Sequence, residues 1–379
     1  MIPLFKPFMA EEVDEPLLEV LHSGYIGQGK KVDEFESDLK KVFKSDYVVT
    51  VNSGTSGLHL AIHMFKKEWG QVLATPLTCT ATNFPILANE CFIHWVDVDP
   101  KTLNMDLTDL ERKIDENIDL IVLVHWGGSP IDYDHLWKIL NKAEKKFGKR
   151  PKVIEDCAHA LGAEWKNRPI ADEVIDAQVY SFQAIKQVTS VDGGAIVFAN
   201  GEDYDRAKLL RWYGIDRETN KKDMRCEADI KEWGFKFHMN DINATIGIEN
   251  LKYLDDHMQH ARMLANIYDG ALMLIDEVDF QYHPNFANSA YWLYTIMVQD
   301  RDNFADFMNK NGIMVSKVHE RNDKHSCMKD YKALLPSLDY IAEKMISIPM
   351  GWWVSEEDAH YICDKIMEFY GRVERKDKK

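Results

Sequence analysis

Between about residues 47 and 200 the chain alternates short, mostly apolar, β-branched runs with longer segments of helical period, and this rhythm constrains the fold more than any other feature. The runs lie at 47–51, 71–74, 92–96, 120–124, 152–154, 177–180 and 194–198. A strand that is apolar at successive positions must be buried on both faces, and strands joined by helices run parallel. The pattern therefore predicts an α/β domain with a mostly parallel central sheet flanked by helices. In such sheets ligands bind beyond the carboxyl ends of the strands. Beyond about residue 250 the pattern changes to a helix over 241–272, a strand-like run over 292–298, and helices over 302–311 and 356–372. We read this as a large cofactor-binding domain over 1–250 and a smaller α+β domain over 251–379.

Two candidate ligand-binding motifs follow predicted strands directly. Gly54-Thr55-Ser56-Gly57 joins a strand to a helical run. Small residues there let backbone approach a phosphate, hydroxyls donate to it, and the helix N-terminus adds unpaired N–H groups; taken alone, the same residues also make an ordinary helix cap. The segment is not a GxxxxGK[ST] loop, which argues against a nucleoside triphosphate site. Asp156, in Glu155-Asp156-Cys157-Ala158-His159, follows the apolar Val153-Ile154. A carboxylate in that position needs a partner, and a pyridinium nitrogen is a suitable one. Thirty residues later Ser181-Phe-Gln-Ala-Ile-Lys186 runs towards Asp192-Gly193-Gly194. A lysine set among uncharged residues in such a chain suits Schiff-base formation with pyridoxal phosphate.

Composition removes several other classes. A net charge of −16 supplies no basic surface for nucleic acid or an anionic membrane. No apolar run approaches the roughly 18 residues of a membrane span, and the N-terminus lacks the form of a signal peptide, so a cytoplasmic enzyme is expected. Six cysteines, at 79, 91, 157, 226, 327 and 363, contain no CxxC pair, which argues against a zinc cage and for no metal.

Taken together, Gly24-Tyr-Ile-Gly-Gln-Gly29, Val51-Asn-Ser-Gly-Thr-Ser56, Ile154 to Gly162, Ser181 to Lys186, Arg211 to Arg217 and Gly234 to Asp241 resemble, in order, the motifs of the DegT/StrS group of sugar aminotransferases. These are fold type I pyridoxal 5′-phosphate enzymes acting on nucleotide-linked keto sugars. The resemblance implies that Lys186 binds the cofactor covalently, that Asp156 pairs with its pyridine nitrogen, and that His159 lies near its phenolic oxygen. It makes Gly54, Thr55, Ser56 and Ser181 the phosphate site, with Lys236 reaching the phosphate of a neighbouring subunit, hence a homodimer with shared active sites. His319 and Arg321, on a loop that closes over the sugar nucleotide, and Tyr25 become substrate contacts. This chain departs from the family where Lys236 stands for Asn, His238 for Arg, and Cys79 for an aromatic residue.

A lysine at 186 favours amino transfer, because the sugar 3-dehydratase branch carries histidine there. The resemblance implies a ping-pong reaction in which glutamate converts the cofactor to pyridoxamine phosphate. That form then aminates a nucleotide-linked 4-keto-6-deoxyhexose of the perosamine or viosamine type. A 3-keto sugar acceptor, a dehydratase and a non-catalytic sensor are the alternative readings.

Overall fold

The computed structural model describes residues 1–217 and 229–371, so Cys226 and the basic residues 372–379 lie outside it. Nine strands precede residue 200: β1 (Val48–Val51), β2 (Gln71–Ala74), β3 (Phe92–Trp95), β4 (Ile118–Val124), β5 (Lys152–Asp156), β6 (Glu164–Trp165), β7 (Arg168–Pro169), β8 (Ala177–Ser181) and β9 (Gly194–Phe198). Seven of them form one sheet in the order β1-β9-β8-β5-β4-β2-β3. All of its pairings are parallel except those of β9, which runs antiparallel to both β1 and β8. The apolar runs are explained by burial on both faces. In β4, Leu120 and Val122 enter one core while Ile121 and Leu123 enter the other.

The later strands β10 (Val278–Phe280), β12 (Tyr294–Val298) and β13 (Met345–Ile348) form a separate antiparallel sheet, and β11 (Ala287–Asn288) pairs with β6. The helices Leu254–Leu272 and Glu356–Phe369 share a third core with the antiparallel sheet. Two expectations change. The single helix expected over 241–272 is two, Asp241–Leu251 and Leu254–Leu272, with the chain turning at Lys252-Tyr253; the second helix begins in the same core as the first, through Leu254 and Met258, and enters the third core from Ala261 onward. Neither glycine nor proline marks that break in the sequence. The first residues, counted above with the large domain, instead lie along the small one. Ile2 bridges to Ile313, and the indoles of Trp353 and Trp352 donate to the Pro3 and Lys6 carbonyls at 2.9 and 3.0 Å. No helix among the described residues is long and apolar enough to cross a membrane.

Candidate active site

Strand ends β1, β5 and β8 lie on one edge of the sheet, and the candidate residues extend from them. Helix Gly54–Phe65 begins just past β1, capped by Ser53, whose hydroxyl accepts the Ser56 N–H at 3.0 Å. The Gly57 N–H bonds the Ser53 carbonyl, whereas the N–H groups of Gly54 and Thr55 bond nothing among the described residues. Two glycines allow this helix end to abut the strands. A Cβ on Gly194 would stand 2.7 Å from the Gly54 nitrogen, and one on Gly54 would stand 3.0 Å from Ser181 Cβ. Gly54, exposed Thr55, Ser56 and Ser181 thus gather at one helix N-terminus, a fit for a phosphate.

Asp156 is buried at the end of β5. Its Oδ1 accepts the Ala158 N–H at 2.9 Å, and its Oδ2 accepts the Thr82 hydroxyl at 2.6 Å. Burial raises its pKa, opposed by those two hydrogen bonds and by the charge of Lys186. Lys186 Nζ sits 3.6 Å from the centre of the Trp292 ring. Burial lowers its amine to about 8, against the pull of Asp156 and Cys79. Trp292 is fixed by its indole N–H, which donates to the Ile185 carbonyl at 2.9 Å, and by Phe5, stacked on it at 5.2 Å.

His159 stacks on Trp292 at 3.9 Å, and His319 lies nearly parallel to both, 5.8 Å from His159 and 6.1 Å from Trp292. Burial and the Lys186 charge depress both imidazoles, His159 well below its ordinary value and His319 to about 4, so both are neutral at pH 7. Among the described residues His159 Nδ1 and His319 Nε2 are buried without a hydrogen-bond partner, which leaves polar atoms for a ligand to satisfy. A buried amine poised near neutrality, a buried carboxylate, two unpartnered imidazole nitrogens and an open helix N-terminus suit a phosphorylated pyridine aldehyde.

Other expected residues stand apart. The exposed Lys236 accepts a hydrogen bond at its carbonyl from the Asn52 amide at 3.3 Å. Neighbouring His238 packs on Trp212 at 3.5 Å and is depressed to about 4 by burial and by Arg217, Lys236 and Arg211. Tyr25 is 81% exposed. The buried Arg321 gives its guanidinium to Asp323, through two bonds of 2.7 Å, and to Asp339, so it is spent within the chain. Trp292 and Thr82 were not singled out from the sequence. Trp292 reads there as one residue of a β-like run, and Thr82 as part of the segment containing Cys79; the strand-end geometry alone reveals their contacts.

Behind β5, on the face opposite Asp156, Glu155 is fully buried and accepts from Tyr133 at 2.6 Å and from Gln178 at 3.1 Å. The Ile131 N–H donates to His125 Nδ1, so His125 Nε2 carries the proton and donates to Glu155 at 3.1 Å. His125, Glu155 and Cys157 offer ligand atoms within 4.8 Å of one another, but these hydrogen bonds already occupy His125 and Glu155.

Residues 7–367 match the DegT/DnrJ/EryC1/StrS aminotransferase family. The crystal structure of the sugar aminotransferase CalS13 from Micromonospora echinospora superposes with a TM-score of 0.93 at 40% identity, covering 97% of this chain and all of that one. The chain is 27% identical, over 95% of both sequences, to the UDP-4-amino-4,6-dideoxy-N-acetyl-beta-L-altrosamine transaminase of Campylobacter jejuni. It is 30% identical, over 79% of this chain and 76% of the relative, to the UDP-4-amino-4-deoxy-L-arabinose–oxoglutarate aminotransferase of Shewanella sediminis. With the match spanning nearly the whole chain and the cofactor-type residues gathered at the strand ends, the protein belongs to the DegT/DnrJ/EryC1/StrS family of pyridoxal 5′-phosphate-dependent aminotransferases.

Proposed function

We propose that this aminotransferase moves the amino group of glutamate to C4 of a nucleotide-linked 4-keto-6-deoxyhexose, releasing 2-oxoglutarate and an amino sugar nucleotide. The observation that carries amino transfer is the partly buried Lys186, whose amine lies over Trp292 and within the field of the buried Asp156 carboxylate. The nucleotide sugar and the C4 position are supported by the Campylobacter relative, named for a 4-amino-4,6-dideoxy sugar linked to UDP. The donor is supported by the Shewanella relative, named as an oxoglutarate aminotransferase.

Bound pyridoxal phosphate supplies the electron sink and carries the nitrogen between the two half-reactions. Asp156 holds a positive charge on the pyridine nitrogen. The Gly54 and Thr55 N–H groups, with the Thr55, Ser56 and Ser181 hydroxyls, hold the phosphate. Lys186, with an amine near 8, gains and loses a proton close to neutral pH and serves as both base and acid at the reacting carbon. His159 Nδ1 would bond the cofactor's phenolic oxygen and His319 Nε2 an oxygen of the sugar, a reading supported by both nitrogens being buried with no hydrogen-bond partner among the described residues. The exposed Lys236 reaches a phosphate in a second copy, and Tyr25 and the loop of Arg321 border the same pocket in a homodimer.

An absorbance scan of the purified protein tests this reading. Glutamate should remove the band of the bound cofactor, and one nucleotide-linked 4-keto-6-deoxy sugar should restore it. Restoration only by 3-keto sugars would overturn the C4 assignment, and a band that glutamate leaves unchanged would overturn the donor.

A further inference from the structure

The loop that carries His319 also reaches the far side of the site through Asn322, which is fully buried. Its backbone N–H donates to the Pro76 carbonyl at 2.8 Å, and its side-chain amide donates to the Thr78 carbonyl at 2.8 Å. Its Oδ1 accepts from Asn83 at 2.9 Å, and Asn83 in turn donates to the Thr75 carbonyl at 3.0 Å. A residue of the small domain thus ties down the turn 75–78 that leads into helix Thr80–Ala88. The hydroxyls of Thr78 and Thr82 lie 2.7 Å apart, and Thr82 spends its one proton on Asp156. Thr78 is therefore the donor to Thr82, and the two hydroxyls form a directed relay ending on the carboxylate.

We propose that Asn322 is a positioning residue: by fixing the turn that carries Thr78 and Thr82, it makes the hydrogen bonding of Asp156 depend on how the small-domain loop 318–325 is seated. Seating of the loop would then adjust the cofactor-binding carboxylate as well as place His319. The inference rests on Asp156 being the partner of the pyridine nitrogen. The other charged or titratable groups beside Asp156 among the described residues are Lys186, His125 and the buried Cys157 thiol.

The test uses the full chain with pyridoxal 5′-phosphate as probe. Its readouts are the dissociation constant for the cofactor and the pH midpoint of the bound cofactor's visible band. Thr82→Val, nearly isosteric, should weaken binding about tenfold, the scale of one hydrogen bond to a charged group. It should also move the pH midpoint up by about one unit, because Asp156 then retains a proton and the ring, less positive, leaves the cofactor's titrating nitrogen more basic. Asn322→Ala and Thr78→Val should shift both readouts in the same direction by smaller factors. The Asn322→Ala/Thr82→Val double variant should match Thr82→Val alone. Thr78→Val tests the relay with the loop intact, so poor folding of Asn322→Ala does not protect the proposal. A pH midpoint unmoved in both Asn322→Ala and Thr78→Val, or fold-changes that multiply in the double variant, would overturn it. Asp156→Asn separates the two readings. Wild-type binding in that variant overturns the role of Asp156 and this inference with it. Weakened binding there, with Thr82→Val and Asn322→Ala unaffected, overturns this inference alone.

Discussion

Replacing His319 by Gln should alter how the protein's stability depends on acidity, and the size of the effect follows from where the imidazole sits. His319 lies nearly parallel to the stacked His159 and Trp292 rings near Lys186, and burial with that ammonium lowers it from 6.5 to about 4. Unfolded, the ring takes up its proton as pH falls through 6.5; folded, it takes none until about 4. The folded pKa of a base is depressed, so the stability is fully present above pH 6.5 and is lost as pH falls towards 4, where the unfolded chain binds one more proton. At about 1.4 kcal/mol per pH unit, this window of some 2.5 units amounts to about 3 kcal/mol as an upper figure. His319→Gln removes the titration while keeping a polar side chain. Thermal unfolding of cofactor-free protein between pH 7 and 4 is the assay. The variant melts lower than wild type at pH 7, and the gap narrows or reverses at pH 4 by on the order of 5 °C. An unchanged gap would refute the argument, since it would mean that His319 titrates alike in both states.

Lys186→Ala should abolish the cofactor's visible band while circular dichroism remains that of the wild type; a band that persists would remove Lys186 from its assigned role. In the cofactor-free protein the Lys186 amine should react with an amine-selective acylating reagent at a rate that rises with pH and levels off above about 8, where the amine is free, as mass spectrometry of the labelled chain would report. Trp292→Ala admits water to Lys186, and because burial is what lowers that amine, the midpoint should move up by about one unit. Trp292→Phe, which keeps a ring beneath the ammonium, should move it far less. Arg321→Met leaves the Asp323 and Asp339 carboxylates without their partner, and should lower the melting temperature more than it changes cofactor binding.

The parts of this protein legible in its sequence are those governed by short stretches of chain. An apolar run such as 120–124 can only be a strand covered on both faces, so the central sheet and its helices follow from the pattern. The first turn of helix Gly54–Phe65 and the strand-end carboxylate of Asp156 are equally local, and so were open to recognition beside Lys186. Contacts between distant segments leave no such signature. The antiparallel entry of β9, the helix break at Lys252-Tyr253 and the bridge of Ile2 to Ile313 depend on which surfaces remain to be covered once the sheet has formed. Trp292 beneath Lys186, the pairing of Arg321 with two carboxylates, and Asn322 against the turn before Thr82 are decided in the same way. The sequence by itself determined the sheet and the residue types its strand ends present, because period and local hydrogen bonding act over a few residues. Only the tertiary structure decided which side chains surround them and how their protons are held, because burial and the meeting of two domains are properties of the packed chain.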